Sequence, residues 1–447
     1  MSTPGKLHLN INILSSGFHG ASWRSATGVP DAFISVDHYV RTAKIAERGA
    51  FDAVFLADTP SVTDQPGYRP FLALEPTIVL ATIAAHTTHI GLIGTASSTF
   101  NDPYNLARRF ASLDLASHGR VGWNVVTTAD GGAAKNFGLD TVVGHADRHE
   151  RASEFTRVVK ALWDSWEDGA LIADKSTGRF LDLHRLHAID HAGKHYRVRG
   201  PLNVPASPRQ GRPVLIQAGG SGDGRNLAAE HAEAIFSVAH TKEDGIAFAA
   251  DVRARAARFG RGPDDIVFLP GLATILGATE ADAKRREEEL WDLLPIDYAL
   301  SRLAGTLQID RERLELDQPL PDDIAIPVDG MQTFSKASLD TARRERLTVR
   351  QLLRKLGGST GHRLIVGTPE QIADDIAEWF AAGAADGFNL MPDVLPDGLE
   401  TFVDHVVPLL RRKGIFREAY EAATLREHFG LARPVNQFSA ARAAAAE

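Results

Sequence analysis

Four glycines, a serine and an arginine fall within Gly219-Gly220-Ser221-Gly222-Asp223-Gly224-Arg225. Such a turn lets backbone N–H groups approach an anion closely, and a helix opening inside it adds a favourable dipole. Ser221 and Arg225 offer further donors, so the chemistry suggested is phosphate capture. The same composition also suits a plain flexible turn between a strand and a helix. A second group follows short apolar runs: Ser15, Ser16, Phe18 and His19, then Asp58 and Thr59, then Thr95, Ser97, Ser98 and Thr99, then Asn124, Thr127 and Thr128, then His240. This group is rich in hydroxyls and amides and poor in acids. A glycosidase needs two carboxylates flanking one bond, and a metal hydrolase needs several His and Asp ligands. Neither set stands out. The residues better suit a neutral, hydrogen-bonding ring that carries one phosphate.

The histidines admit a blander reading. His145 and His149 stand four apart at a helix start and can share a face, but as a metal pair they lack a third ligand. No metal site is expected. His184, His187, His191 and His195 are broken up by the turn at Ala192-Gly193, which points to structural or solvated roles. The acidic run 287–289 reads as a solvated helix face.

Positioning such residues requires a repeating frame. Apolar, β-rich runs lie at 7–14, 53–57, 90–96, 121–127, 213–218, 234–238, 266–276 and 387–391. Helical patterns separate them at 37–48, 75–86, 103–117, 147–167, from 224, 242–259, 280–293, 369–382 and 399–413. Pro76 and Pro103 sit in first turns, where the missing N–H costs nothing. Near-continuous apolar strands alternating with helices mean a parallel sheet covered by helices. Eight units predict a (β/α)₈ TIM barrel in one domain spanning 1–447, with insertions at about 129–210 and 301–360 and a C-terminal extension over 414–447. The tail is expected to wrap the surface. The insertion at 301–360 is expected to form a mobile lid over the barrel mouth. A doubly wound sheet is the alternative. It is weakened because no G-x-G-x-x-G follows the first strand. In a barrel the active site lies at the C-terminal strand ends, where the hydroxyl and amide group falls.

Composition closes off other classes. The chain of 447 residues carries a net charge of −8, which argues against bulk binding to nucleic acid or an anionic membrane. It contains no cysteine, so disulfides, thiolate metal sites and cysteine nucleophiles are excluded. The N-terminus lacks the pattern of a secretory signal, and no run reaches the roughly 18 apolar residues of a membrane span. A cytoplasmic location is the expectation.

Several stretches together resemble the nitrilotriacetate and dibenzothiophene-sulfone monooxygenase family of the luciferase-like superfamily. They are FDAVFLAD (51–58), the run 75–127, HADRHERASEF (145–155), the run 195–229 and LREHFGLARP (425–434). The resemblance implies an oxygenase that uses FMN as FMNH₂, supplied by a separate NAD(P)H:flavin oxidoreductase. With O₂ this family forms a C4a-peroxyflavin and oxygenates a small organic compound, often cleaving a C–N or C–S bond. Carried over, Asp58, Thr95, Asn124, His145, Ala218, Gly219 and Ser221 would contact the flavin, and His19 would line the substrate side as the catalytic residue. His149 stands where the family usually has Tyr and is placed with the flavin contacts. Phe18, Phe55, Phe100 and Trp123 are candidate pocket walls. Relatives are typically homodimers or homotetramers. The competing expectations are an F420-dependent oxidoreductase on the same fold and a non-catalytic flavin-binding protein.

Overall fold

The computed structural model describes residues 6–62, 66–327, 332–357 and 361–444. Nine parallel strands form the central sheet: β1 (His8–Asn12), β2 (Ala53–Leu56), β3 (Gly91–Ser97), β4 (Val121–Val126), β5 (Val214–Gln217), β6 (Ala234–Ser237), β7 (Val267–Leu276), β8 (Arg363–Gly367) and β9 (Gly387–Pro392). Pairing runs β1-β2-β3-β4-β5-β6-β7-β9 and back to β1, so eight strands close a (β/α)₈ barrel. Each of the eight runs read from sequence supplies one of these strands.

The ninth strand, β8, is a correction to the sequence reading. β7 is ten residues long, and β6 covers only Val267–Pro270 of its edge. That leaves the edge from Leu272 to Leu276 to be paired, and Arg363–Gly367 fills it in register. An uncovered edge of N–H and C=O groups inside a domain is costly.

Helices start where the sequence supplies caps. Ser35 accepts from His38 N at α1 (Val36–Arg48), and Glu75 and Asp102 cap α2 (Pro76–His86) and α3 (Pro103–Ala116), each with proline in its first turn. The long helix after β4 runs His145–Asp164. Alternation along the strands then sorts the two faces. On β4, Val121, Trp123 and Val125 join the helical layer with Phe110, Phe155 and Trp163, so Gly122 and Asn124 face the lumen. Trp123 is therefore outside the barrel and is not a pocket wall. The short run VGWNVV hides this parity because both faces are buried.

The tail also departs from expectation. Leu425, Phe429 and Leu431 join Phe55, Ile93, Val214, Ile216, Val267 and Leu269 in one cluster, so the tail plugs the barrel instead of wrapping its surface. Gly91 and Gly122 leave the room this needs. A Cβ on Gly91 would lie 2.5 Å from Leu425 Cδ1, and one on Gly122 would lie 3.1 Å from Leu425 Cδ2. Beside the plug, Asp52 is fully buried, ion-paired with Arg417 and hydrogen-bonded to the His8 ring.

The segment at 171–198 forms two short hairpins outside the barrel, pinned by His187 to Glu167 at 2.7 Å and His191 to Glu154 at 2.9 Å. These histidines are structural ties. The segment after the helix Glu280–Asp292 folds as helices Ile296–Leu307, Gln332–Glu345 and Val349–Lys355. Apolar residues at helical spacing, among them Leu300, Leu303, Leu307, Leu339, Leu352 and Leu356, give these helices a core of their own. Residues 328–331 and 358–360 of the expected lid lie outside the described residues. Among the described residues, no helix is long and apolar enough to cross a membrane.

Candidate active site

At the C-terminal strand ends, Thr95 and Asn124 are register partners, and Asn124 Nδ2 donates to Thr95 Oγ1 at 2.8 Å. Both are buried in the lumen. Asn124 Oδ1 has no partner, nor does Asn12 Oδ1 at the end of β1. Asp58 follows β2 and is half-buried. Burial pushes its carboxyl up to about 6, and the charge of Glu75 adds to this.

Other hydroxyls of the sequence-derived group are occupied elsewhere. Ser15 and Ser16 donate to the carbonyls of Phe71 and Val29. Ser98 and Thr99 donate to the carbonyls of Val126 and Thr127, and Ser97 Oγ accepts from Thr99 N and Thr128 Oγ1. His240 Nε2 bonds the Gly361 carbonyl. These groups brace the loops.

The glycine turn opens α4 (Gly222–His231) with Ser221 as N-cap, its Oγ accepting from Gly224 N at 3.1 Å. Ala218 and Gly219 lead into this turn from β5. A Cβ at Gly219 would lie 2.3 Å from Gln217 Nε2, and one at Gly220 would lie 2.6 Å from Thr333 Oγ1. Gly219 and Gly220 are therefore too crowded for side chains, whereas Gly222 faces open space. Arg225 does not point at this seat. Its Nε donates to the Gly220 carbonyl and its Nη1 pairs with Asp251 at 2.8 Å, which corrects the donor role inferred from spacing.

A partner absent from the sequence reading appears here. His145 Nδ1 donates to Asp223 Oδ2 at 3.0 Å, joining the start of the 145–164 helix to the first turn of α4. The His149 ring lies beside that of His145, centroids 4.4 Å apart and planes tilted by 35°, and donates from Nδ1 to the His145 carbonyl. The sequence reading gave this pair no third metal ligand; Asp223 brings a carboxylate oxygen within 4.8 Å of both imidazoles, so the three together could hold a cation. Burial lowers the His149 pKa. Two helix N-termini, two imidazoles and the Ser221 hydroxyl thus converge, a suitable environment for a phosphate.

His19 lies beyond the β1 end and is 4% exposed. Its Nδ1 accepts from Ala21 N at 3.2 Å, so a neutral ring carries its proton on Nε2. Burial, with the nearby Arg69 charge, drives its pKa down to about 3. It lines a cavity with Ile275, Glu287, Trp291, Arg354 and Leu364. Glu287, expected on a solvated face, is half-buried there. Phe18 packs with Met391 and Ala273 over the lumen. Phe55 faces inward and meets the Phe236 ring edge-on at 5.3 Å, while Phe100 stacks on Phe137 at 4.7 Å.

Sequence reasoning missed Asn10, Asn12 and Asn389, buried amides on β1 and β9. The signal was present: a polar side chain in a strand otherwise buried on both faces is an anomaly. Asp223 was invisible as a partner because 78 residues separate it from His145.

The flavin implied by this architecture can be tested against these atoms. The unpaired buried amide oxygen of Asn124, on the strand next to the glycine turn, offers an acceptor to a planar ring with hydrogen-bonding edges, and the turn's capping hydroxyl and helix N-terminus suit a phosphate arm. The residues fit the group.

Comparison with known proteins agrees. The model of the luciferase-like monooxygenase family matches residues 12–386. The chain is 44% identical over 449 residues to nitrilotriacetate monooxygenase component A of Aminobacter aminovorans, covering 98% of this chain and 99% of that protein. It is 43% identical over 435 residues to N-acetyl-S-(2-succino)cysteine monooxygenase of Bacillus subtilis, covering 97% and 98%. A riboflavin lyase solved with modified FMN and riboflavin superposes with a TM-score of 0.84 at 33% identity, over 96% of this chain and 97% of that one.

Proposed function

Because the chain belongs to the luciferase-like monooxygenases and is a flavin-dependent monooxygenase, we propose that it is the oxygenating half of a two-component system. It takes FMNH₂ from a separate NAD(P)H:flavin oxidoreductase and, with O₂, adds one oxygen atom to a small organic compound. The word "component" in the name of the Aminobacter relative supports a split system. The chemistry supplied by reduced flavin is activation of dioxygen.

The chain's own residues bind, orient and exclude water. Ser221, Gly219 and Ala218 with His145 and His149 hold the phosphate. Asp58, Thr95 and Asn124 orient the ring. Phe18 and Phe55 keep water from the reacting face, and His19 donates a hydrogen bond on the substrate side. The observation that carries this reading is the His145–Asp223 bond, which draws both helix N-termini to the glycine turn.

The test is a titration of the protein with FMN and with riboflavin. FMN is expected to bind about 100-fold more tightly, since its phosphate gains charge-assisted hydrogen bonds. Ser221→Gly, which largely preserves helix capping, should weaken FMN and leave riboflavin unchanged. Equal affinity of the protein for the two flavins would sink the reading.

Asp58 adds a pH dependence. Burial raises its pKa to about 6, so it becomes an acceptor-only carboxylate as pH rises through that value. Riboflavin affinity is expected to climb between pH 5 and 7 and then level off, and Asp58→Asn to flatten the curve. Riboflavin is the right probe because it has no phosphate to titrate. A fall in affinity with rising pH would contradict the assignment.

A further inference from the structure

His145, His149 and Asp223 make more than a tie between two helices. Each offers one ligand atom, and the three atoms lie within 4.8 Å of one another. Among the described residues, no other trio of histidine and acidic side chains gathers so closely. His187 with Glu167 and His191 with Glu154 are pairs. All three members are half-buried, which leaves them open to an ion from solvent.

The tie itself is complete with His145 and Asp223. His149 adds nothing to it, because its Nδ1 donates to the His145 carbonyl within its own helix. That bond does settle the tautomer. With the proton on Nδ1, the neutral ring keeps its Nε2 lone pair for a ligand, the usual arrangement of a metal-bound histidine. Imidazoles four residues apart share a helix face, and the carboxylate from α4 completes a set of two histidines and one acid. Distances agree. A tetrahedral zinc ion with ligands at about 2.0 Å sets its donor atoms about 3.3 Å apart. His145 Nδ1 and Asp223 Oδ2 stand 3.0 Å apart, so an ion takes the place of the shared proton with an opening of about 0.3 Å.

We propose that His145, His149 and Asp223 bind a divalent transition-metal cation of the zinc type. Imidazole nitrogen favours zinc, cobalt and nickel, whereas magnesium and calcium want oxygen ligands. The N-termini of the 145–164 helix and of α4 disfavour a bare cation, and the Asp223 carboxylate offsets this. This metal site goes beyond the flavin reading above and does not rest on it, although both use His145 and His149. Two neutral imidazoles and one carboxylate leave a bound dication with one positive charge and a free coordination position. Ion and phosphate are therefore compatible at these helix ends.

The test uses the full chain, free of any affinity tag and stripped with chelator, titrated calorimetrically with Zn²⁺. One ion per chain is expected, and excess Mg²⁺ should not compete. Removing an outer partner of a metal site costs about 10- to 100-fold in affinity, so loss of a direct ligand should cost at least about 100-fold. His149→Gln and Asp223→Asn should each show that loss. Both metal-free variants should melt within about 3 °C of wild type, and Zn²⁺ should raise the melting temperature of wild type alone. The Co²⁺ form of the wild type should show paramagnetically shifted imidazole proton resonances, a readout that needs no variant. Absence of stoichiometric zinc binding, zinc binding that either variant keeps, or cobalt bound without those resonances would overturn the proposal. A protein that binds zinc but not FMN would uphold the metal site and reject the phosphate reading. One that binds FMN but not zinc would reject the metal site alone.

Discussion

His19→Ala is expected to cut product formation by about 100-fold while leaving the FMN dissociation constant within about twofold. The size follows from removing one positioned hydrogen-bond donor from a water-poor site. His19 is 4% exposed, and its Nδ1 is occupied by Ala21 N. What remains for chemistry is the Nε2 proton. With the pKa held at about 3 by burial and by Arg69, the ring is neutral across any working pH. In the proposed role it would therefore orient by donating a hydrogen bond and would not serve as a titrating acid. Two consequences follow. The His19 contribution should be flat from pH 6 to 9, and His19→Gln, which keeps a donor, should recover part of the loss. The measurement is ¹⁸O from labelled dioxygen in the product, set against hydrogen peroxide released. Reduced flavin should still be consumed, with peroxide replacing product. A matching loss of FMN affinity would place His19 in flavin binding and remove it from this role.

Asp52→Ala is expected to destabilise the protein by about 3–5 kcal/mol, the usual consequence of stranding one member of a buried ion pair. Asp52 is 0% exposed, and Arg417, its partner from the tail, is 6% exposed. Asp52 also accepts from Leu9 N at 2.7 Å and from the His8 ring at 3.0 Å. Burial alone would raise its carboxyl, but Arg417 and His8 outweigh that and hold it at about 2, against 3.8 for a free aspartate. The folded-state pKa is depressed. The stabilisation is therefore complete above about pH 4 and disappears as pH falls through 2. Denaturant melts at pH 7 and pH 3 should show the mutant's deficit shrinking at the lower value. A deficit that stays constant would mean the carboxylate contributes packing alone. Arg417→Met paired with Asp52→Leu tests the same point from the other side, since replacing both charges with apolar groups is expected to recover much of the loss.

The linear chain was enough to locate all eight barrel strands, because each is a short apolar run between helical patterns. It was also enough to single out Thr95, Asn124 and the Gly219–Arg225 turn as candidates. Local chemistry decides such features: strand periodicity, capping residues and glycine content are properties of neighbours in the chain. The facing of each side chain was settled only by tertiary structure. Parallel strands buried on both sides read as continuous apolar runs, so parity is not visible, and Trp123 falls outside the lumen while Asn124 falls inside. Folding also decided which distant groups meet. Asp223 reaches His145, Leu425 enters the barrel, and Arg363–Gly367 completes the edge of β7. Each of these contacts joins residues far apart in sequence, and only chain packing brings such residues together.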